Sequence, residues 1–278
     1  MITINCKSQL VHFDVPRVMG IINTTPDSFY KQSRHSVETE VLQTAEKMLA
    51  EGASFLDVGG QSTRPGSSRV SEEEERARVI PAVEAIAKHF PEALISIDTF
   101  YASVAHAAVE VGACMVNDIS GGTIDPALLT LVAKLKVPYI LMHMQGDPQT
   151  MQQHPAYDNV VLEVFDYLNV TIKRLHSLGI NDLLIDPGFG FGKTSQHNFR
   201  LLAELAFFAE LGKALVVGVS RKGMVYKTLG TTAAEALNGS TVLHTVALLN
   251  GALLLRVHDV KEAMQAVLLV QQLKQQKL

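Results

Sequence analysis

Eight short apolar runs, separated by longer amphipathic segments, constrain the fold of this chain more than any other feature of its sequence. Each run ends at a polar or charged residue, and the segments between the runs have the length of helices. Short apolar runs are typical of buried strands, and strands that alternate with helices are typical of a parallel sheet. Eight such units in a chain of 278 residues predict an α/β fold with a single (β/α)8 TIM barrel, which takes about 250 residues.

The residues before the first run predict a separate element. Within residues 1–14, apolar and polar side chains alternate around Lys7 and Ser8, which is typical of a β-hairpin. We expect this hairpin to close one end of the barrel, the barrel to span residues 17–274, and the two to form one domain over residues 1–278. A doubly wound open sheet is the alternative fold, but the strand count and the lack of a nucleotide-binding motif in the sequence count against it.

The composition and charge of the chain limit the kinds of ligand, partner and cell compartment that we expect for it. The formal net charge is −4, which disfavours a nucleic-acid surface, so an anionic ligand must be met by local cations. No apolar run reaches the length of a membrane span, and the N-terminus does not resemble a signal peptide. Cys6 and Cys114 lie far apart in the sequence and suggest neither a disulfide framework nor a metal site, which favours the reducing cytoplasm.

The polar residues that end the eight runs are the candidate functional residues. In a (β/α)8 barrel the carboxyl ends of all strands meet at one mouth, where ligands and catalytic groups lie. One polar strand end means little, but eight that converge are hard to explain as helix caps alone. These residues are Asn23, Thr63, Arg64, Asp98, Asn117, His143, Asp186, Lys222, Arg256 and His258.

The sixth run leads into a glycine-rich segment that could hold a ligand against backbone. Asp186 is followed by Pro187 and by glycines at alternate positions, and backbone with few side chains can approach a flat ligand closely. The segment also resembles a phosphate-binding loop, but it has three residues between Gly188 and Gly192 where that motif needs four. A tight strand-to-helix turn with Asp186 as a local cap is the alternative.

A run of acidic residues after Ser71 has a structural explanation. Ser71 is expected to cap a helix, Glu74 to complete a capping box, and the carboxylates to face the positive end of the helix dipole. This interpretation is preferred to a metal site.

The first chemical group among the polar strand ends suits a heterocycle. Asp98 and Asp186 supply carboxylates, which accept the paired donors of an amino group beside a ring N–H. Asn117 can serve both a donor and an acceptor on such a ring. Lys222 would bind a ring acceptor such as a carbonyl oxygen.

The second group, which consists of Arg64, Arg256 and His258, suits an anion. Arg256 and His258 leave one strand two residues apart and so face the same side, and arginine forks suit phosphate oxygens. An ion pair of Arg256 with Asp259 and a structural role for His258 are the alternatives. A heterocycle beside a phosphate, without a visible base–nucleophile pair, suggests displacement of a phosphate leaving group.

Several motifs, in order along the chain, closely resemble the dihydropteroate synthase family. The resemblance covers nearly the whole chain and rests on segments 23–29, 59–66, 142–146, 186–193, 220–222 and 256–259, which read NTTPDSF, GGQSTRPG, MHMQG, DPGFGFGK, SRK and RVHD. That family condenses 7,8-dihydropterin-6-ylmethyl diphosphate with 4-aminobenzoate to give 7,8-dihydropteroate and diphosphate in folate synthesis. The resemblance implies a transferase of an alkyl group other than methyl, a sulfonamide target and a homodimer formed through the last helices.

The resemblance also implies roles for individual residues. The positions that match pterin-binding residues are Asp98, Asn117, Met142, Asp186 and Lys222. Arg256 and His258 match a diphosphate-binding pair, and Asn23 matches an asparagine linked to Mg²⁺ on the diphosphate. The residues that match the aminobenzoate site are Thr63, Arg64 and Pro65 on a mobile loop, with Phe191 and Lys222 nearby. The residues expected in the chemical step are Asn23, Arg64, Lys222, Arg256 and His258.

The sequence departs from the family pattern at three places. A Tyr30-Lys31-Gln32 segment stands where many members have a short Asp-Gly-Gly run. Gly223 stands where many have serine, and Gln61, where many have glutamate, is expected to be a minor change. Two other functions stay open on the sequence alone: a methyltetrahydrofolate-binding barrel of the methyltransferase type, and a barrel that binds pterin or a partner without catalysis.

Overall fold

The described part of the chain contains a closed barrel of eight parallel strands, which confirms the predicted fold. The structure is a computed structural model, and it describes residues 2–24, 34–61, 69–147 and 150–276. The barrel strands follow one another in sequence order, and the last pairs with the first. The strands are β1 (Thr3–Cys6) and β2 (Gln9–His12) in a hairpin, then β3 (Arg17–Asn23), β4 (Phe55–Gly59), β5 (Leu94–Asp98), β6 (Met115–Asp118), β7 (Tyr139–Met142), β8 (Leu183–Asp186), β9 (Ala214–Val217) and β10 (Leu254–Val257) in the barrel. That residues 1–278 form one domain stays a prediction.

Helices cover the outside of the barrel. Those among the described residues are α1 (Arg34–Ala50), α2 (Glu72–His89), α3 (Ala102–Glu110), α4 (Ala127–Leu135), α5 (Val160–Ser177), α6 (Ser195–Ala203), α7 (Gly223–Leu229), α8 (Leu237–Leu249) and α9 (Val260–Gln275), with a 3₁₀ helix at Leu205–Leu211. The helix predicted over residues 196–210 is therefore α6 followed by a 3₁₀ helix. The short α7 was not predicted, because seven residues are too few for a helical period to show in the sequence.

The N-terminal hairpin closes the end of the barrel opposite the mouth, as predicted. Lys7 and Ser8 form its two-residue turn with φ of 50° and 62°, which is the mirror-image turn that hairpins prefer. Ile4 packs in one buried cluster with Met19 and Phe55, which lie inside the barrel below the mouth. Each such apolar side chain stabilises the fold by about 1.5–3 kcal/mol when fully buried.

Alternation along the strands separates an apolar lower layer inside the barrel from a polar mouth. Every second residue of a strand faces the same side of the sheet. The inward positions of the lower layer are apolar and include Met19, Phe55, Met115, Leu184 and Leu254. The inward positions nearer the carboxyl ends are Asn23, Asp57, Asp98, Asn117, Met142, Asp186 and Arg256. The fold therefore gathers polar groups from distant parts of the sequence at one end.

Some sequence expectations concern parts away from the mouth. Ser71 Oγ accepts a hydrogen bond from Glu74 N at 3.2 Å, as predicted for a helix cap. The Glu74 carboxylate pairs with Arg78, so the predicted capping box does not form. Cys6 and Cys114 are buried and free. None of the described helices combines the length and the apolarity that a membrane crossing needs.

Candidate active site

A network of polar side chains from four strands crosses the mouth of the barrel. Arg256 on β10 donates from Nε to Asp57 Oδ2 on β4 and from Nη2 to Asp98 Oδ2 on β5, both at 2.6 Å. Asn117 on β6 donates from Nδ2 to the same Asp57 oxygen at 2.9 Å. The fold thus brings three predicted residues together around a carboxylate that the sequence did not single out.

Burial and charge set the protonation of this network. Asp57 is fully buried, and the Asp98 side chain is 12% exposed. Burial raises the pKa of Asp98 to about 7, while Arg256 opposes the rise and Asp57 adds to it. Burial works against the charge of Arg256, but Asp57 and Asp98 raise the pKa of its guanidinium above the usual value. Near neutral pH this network therefore holds the Arg256 cation beside an acid that can exchange a proton.

Asp186 and Lys222 lie beside this network. Gly218 follows β9, and the position where a Cβ would stand on it is 3.9 Å from Asp186 Oδ2, 3.8 Å from Lys222 Nζ and 3.9 Å from Arg256 Cβ. The three groups therefore surround one space that a side chain at residue 218 would enter. Asp186 Oδ1 accepts a hydrogen bond from Gly188 N at 2.7 Å. Burial raises the pKa of Asp186, and Lys222 partly opposes this.

Lys222 reaches back from the start of α7 to the glycine-rich turn after β8. Its Nζ donates to Phe189 O at 2.5 Å and lies 4.8 Å from the centroid of the Phe191 ring. Burial lowers the pKa of Lys222 to about 8, and Asp186 opposes the change. Phe191 and Met142 belong to a small buried apolar cluster. An apolar wall with a few polar groups suits a flat heterocycle.

His258 and Asp259 follow β10 and have different partners. His258 is exposed, and its Nδ1 lies 3.0 Å from Ser220 Oγ. Arg221 donates from Nε and Nη2 to the two carboxylate oxygens of Asp259, each at 2.8 Å. The alternative in which Arg256 pairs with Asp259 is therefore wrong, because Arg256 is bound to the carboxylates inside the barrel.

The remaining predicted residues fall into two sets. Asn23 is exposed at the carboxyl end of β3, where it pairs in register with Gly59. The position where a Cβ would stand on Gly59 is 3.3 Å from Asp98 Cβ. The predicted loop residues Thr63, Arg64 and Pro65 lie outside the described residues. The same holds for the departure at Tyr30-Lys31-Gln32.

Comparisons with known proteins identify the family. The family described as Pterin binding enzyme matches residues 19–258. The dihydropteroate synthase of Escherichia coli strain K12 is 46% identical over 92% of this chain and 91% of its own length. That of Haemophilus influenzae is 42% identical over 91% of this chain and 92% of its own length. The chain belongs to the dihydropteroate synthase family.

Solved structures of dihydropteroate synthases share the fold along almost the whole chain. The enzyme of Yersinia pestis in a sulfonamide drug complex superposes with a TM-score of 0.93 at 40% identity, covering 99% of this chain and 100% of that one. The enzyme of Xanthomonas albilineans in complex with 7,8-dihydropteroate gives 0.88 at 38% identity, covering 98% of each chain. These relatives do not favour the alternative of a methyltetrahydrofolate-binding barrel.

The sequence did not single out three buried ionisable residues of this dihydropteroate synthase family member as candidate functional residues. Asp57 lies within an apolar run of the sequence, and a carboxylate at an inward strand position is a signal that could have found it. Lys193 was weighed only as part of a phosphate loop, and Glu75 only as part of an acidic helix start. His143, predicted at the mouth, is buried and hydrogen bonds with Lys193.

Hydrogen bonds of Gln61 connect the chain before residues 62–68 with Val70 and Glu75, which follow that segment. Gln61 Nε2 donates to Glu75 Oε2 at 3.0 Å, and Gln61 Oε1 accepts from Val70 N at 2.7 Å. A glutamate at position 61 would bring a second carboxylate against the buried Glu75. The departure at Gln61, expected to be minor, therefore has a structural consequence in this chain.

The first prediction concerns the pH dependence of stability. Burial raises the pKa of Glu75 from 4.5 to about 7, although hydrogen bonds from Thr99 and Gln61 oppose the rise. The folded state then binds more protons than the unfolded state, so stability falls as the pH rises between these two values. We expect the free energy of unfolding, measured with urea from about pH 5 to pH 8, to fall less with pH in Glu75→Gln than in wild type. Glu73→Gln, on the exposed side of the same turn, should follow the wild-type curve. A Glu75→Gln curve parallel to wild type would contradict the pKa assignment.

Proposed function

We propose that the chain joins 7,8-dihydropterin-6-ylmethyl diphosphate to 4-aminobenzoate and releases 7,8-dihydropteroate and diphosphate. The observation that carries this proposal is the barrel mouth, where acceptors suited to a pterin edge adjoin the Arg256 guanidinium. Asp98 and Asn117 are both linked to the network that Arg256 joins. Membership of the dihydropteroate synthase family supports the same reaction.

The pterin ring is proposed to bind between Asp186, Asn117 and Lys222. A pterin presents an amino group beside a ring N–H, and a carboxylate accepts such paired donors. Asp186 is suited to this role because Gly188 N fixes one of its oxygens while the other borders the space beside Gly218. Lys222 would donate to the ring carbonyl. Asp98 and Met142 are proposed to complete the pterin pocket.

The diphosphate is proposed to bind at Arg256 and His258. Two hydrogen bonds to Asp57 and Asp98 fix the plane of the Arg256 guanidinium before any substrate binds. A donor that is already oriented stabilises developing negative charge without the cost of reorganisation. Ser220 Oγ orients the His258 ring in a similar way.

Mg²⁺ is proposed to bind together with the diphosphate at Asn23. Among the described residues, no three His, Cys, Asp or Glu side chains lie close enough to hold a metal ion. A single protein ligand nevertheless fits this ion, because Mg²⁺ keeps several waters and usually takes one or two protein ligands plus substrate phosphates. Asn23 offers an exposed amide oxygen at the mouth. When bound, the ion would offset charge on the diphosphate.

The proposed reaction depends on orientation and charge more than on proton transfer. An arylamine is neutral near pH 7 and therefore needs little activation. The electron-rich pterin tolerates positive character at its exocyclic methylene, so C–O cleavage is proposed to run ahead of C–N bond formation. Arg256, His258 and Lys222 are proposed to stabilise the charge that develops as the diphosphate leaves. The aminobenzoate is proposed to bind opposite the leaving diphosphate. Its site is formed by Phe191, Lys222, Thr63, Arg64 and Pro65.

The test is diphosphate release by the wild-type chain. We expect release only when both substrates are present, with one 7,8-dihydropteroate formed for each diphosphate. A chain that binds 7,8-dihydropterin but releases no diphosphate would instead be a non-catalytic pterin-binding barrel. Methyl transfer from methyltetrahydrofolate without diphosphate release would point to the other alternative.

The second prediction concerns Asp186→Asn. The substitution turns part of a carboxylate acceptor into an amide donor, which faces the donors of the pterin edge. A buried donor left without a partner costs about 1–3 kcal/mol, so we expect the Kd for 7,8-dihydropterin, measured by calorimetry, to rise about 5- to 150-fold. Asp182→Asn, before the opposite end of β8, is the matched control and should bind like wild type. Unchanged pterin affinity in Asp186→Asn would refute the assignment.

The homodimer is proposed to form through the last two helices. Exposed apolar side chains on these helices are Val242 (53%) and Leu249 (48%) on α8 and Leu268 (56%), Leu269 (68%) and Leu273 (58%) on α9. Large exposed apolar patches often mark protein–protein interfaces. As the third prediction, we expect a dimer in sedimentation velocity that Leu269→Glu shifts toward monomer. A wild-type monomer at micromolar concentration would contradict the proposal.

A further inference from the structure

Lys193 is a buried lysine that the proposed reaction does not use directly. It follows the glycine-rich turn after β8, and it is 2% exposed. Its Nζ lies 2.9 Å from His143 Nδ1 and donates to Gly188 O and Phe191 O, each at 3.0 Å. A buried ammonium is costly unless hydrogen bonds satisfy it, so a lysine here needs a reason beyond packing.

The contacts of Lys193 tie the turn to the end of the neighbouring strand. Gly188 and Phe191 lie within the turn, whereas His143 directly follows β7. The side chain therefore fixes the turn at two points and connects it to a second strand. The backbone is also close at this place, since His143 O is 1.9 Å from the position where a Cβ would stand on Gly188.

The donors of Lys193 match the acceptors around it. An ammonium has three N–H donors, and three acceptors lie at 2.9–3.0 Å. Burial, with the nearby Lys193 charge, lowers the pKa of His143 to about 3, so its ring is neutral and Nδ1 can accept. Burial lowers the pKa of Lys193 itself to about 7, while Asp186 opposes the change and Lys222 adds to it.

The turn that Lys193 ties down carries the contacts that orient the proposed pterin site. Gly188 N holds one oxygen of Asp186, and Phe189 O receives Lys222 Nζ. The Phe191 ring lies beside that same ammonium. Displacement of the turn would therefore move the acceptor and the donor that face the ring at the same time.

We propose that Lys193 is a positioning residue for pterin binding, which acts by holding the Gly188–Phe191 turn so that Asp186 and Lys222 face the ring. The inference rests on the proposed function, because it takes the pterin as the ligand of those two residues. Lys193 itself does not contact the reacting atoms. Its loss should weaken binding of the pterin more than it slows the chemical step, in which Lys222 also stabilises charge.

The experiment compares Lys193→Met with wild type and with Tyr157→Phe. Methionine keeps the length and the apolar stem of lysine but removes all three donors. Tyr157→Phe is the matched control, because it removes one hydrogen bond to the same segment, from Tyr157 Oη to Gly192 O at 2.9 Å, outside the Gly188–Phe191 turn. Affinity for 7,8-dihydropterin is measured by calorimetry, and kcat and KM are measured for the diphosphate substrate at a temperature where urea titration shows each protein folded.

We expect Lys193→Met to raise the Kd for dihydropterin and the KM for the pterin diphosphate about tenfold or more, with kcat within about threefold of wild type. Tyr157→Phe should keep both within about twofold of wild type. A merely structural role would reduce the folded, active fraction, which lowers apparent kcat and leaves KM unchanged. That result, or equal shifts in both variants, would overturn the inference.

Two further outcomes are distinguishable. If Lys193→Met does not fold, Lys193→Gln, which keeps two donors, takes its place with a smaller expected rise in Kd, and an unchanged Kd overturns the inference. If the wild-type chain binds dihydropterin without releasing diphosphate, the proposed reaction fails while the calorimetric comparison still decides the role of Lys193. A wild-type chain that does not bind dihydropterin overturns both proposals.

Discussion

Replacement of Arg256 by methionine is expected to remove most of the activity and a large part of the stability. The guanidinium stands between Asp57 and Asp98, and without it two carboxylates face each other with no cation between them. Removal of one partner of a buried ion pair costs about 3–5 kcal/mol of stability. The loss of a charged hydrogen bond to the diphosphate costs about 1.5–3 kcal/mol more in the transition state, so kcat/KM should fall at least about tenfold. Urea unfolding and steady-state diphosphate release measure the two effects separately.

The double variant Asp57→Asn/Arg256→Met separates the two causes. Removal of the Asp57 charge takes away the repulsion that the missing guanidinium leaves behind, so stability should recover in part. Activity should not recover, because the diphosphate still lacks its cation. Turnover of Arg256→Met within about twofold of wild type would refute the proposed role, and a recovery of activity in the double variant would show that the loss came from the fold alone.

The residues at the mouth could be predicted because strand geometry follows from the sequence. Once eight apolar runs are taken as parallel strands, their last polar residues must meet at one end. Asp98, Asn117, Asp186 and Arg256 are all found there. The alternation within each strand carries the same information, and it places Asp57 inward two residues before the end of β4. Asp57 was missed because hydrophobicity, and not inward position, guided the choice of candidates.

The partners of the mouth residues could not be predicted, because they depend on registers between strands far apart in the sequence. Arg256 was expected to face a phosphate or to pair with Asp259, which lies three residues further along the chain. The pairing with Asp259 is wrong, because the barrel places Arg256 across from Asp57, which is 199 residues away. Asn117 was predicted at the mouth, and Asp118 directly follows it in the sequence. Only Asn117 reaches the network, while Asp118 accepts hydrogen bonds from Ser120 N and Gly122 N in the following turn.

The contacts of the glycine-rich turn after β8 could not be predicted from the sequence either. Its sequence indicated close backbone approach, but not which backbone would be close. The structure places the carbonyl of His143 against Gly188 and the buried Lys193 against both. No local motif encodes the distance between the end of β7 and the turn after β8. That distance results from the closure of the barrel, and it is what makes residue 188 intolerant of a side chain.

Among the glycines that the structure describes, Gly188 is therefore expected to be the one where an added methyl group, as in Gly188→Ala, disrupts the fold most. Gly188 has a φ of +73°, and an added Cβ would stand 1.9 Å from His143 O and 3.3 Å from Met142 Cγ. The conformation alone costs about 1–2 kcal/mol for a residue with a side chain, and overpacking adds about 1–3 kcal/mol. We expect the free energy of unfolding to fall by about 2–5 kcal/mol. Because the turn must move, the Kd for 7,8-dihydropterin should rise about 150-fold or more, the equivalent of two lost hydrogen bonds to charged groups at about 1.5 kcal/mol each.

Gly179→Ala isolates the cost of the backbone conformation. Gly179 has a φ of +86°, but among the described residues no atom beyond Gly179 and its two chain neighbours lies within 4 Å of the position of an added Cβ. This variant should therefore lose only about 1–2 kcal/mol and bind dihydropterin like wild type, because it lies between α5 and β8, away from the mouth. The difference between the two variants measures the contact with His143 O. If Gly188→Ala and Gly179→Ala lose equal stability and bind pterin equally well, the turn can move away from β7 without any effect on the site. The close approach of the two backbones would then not position Asp186.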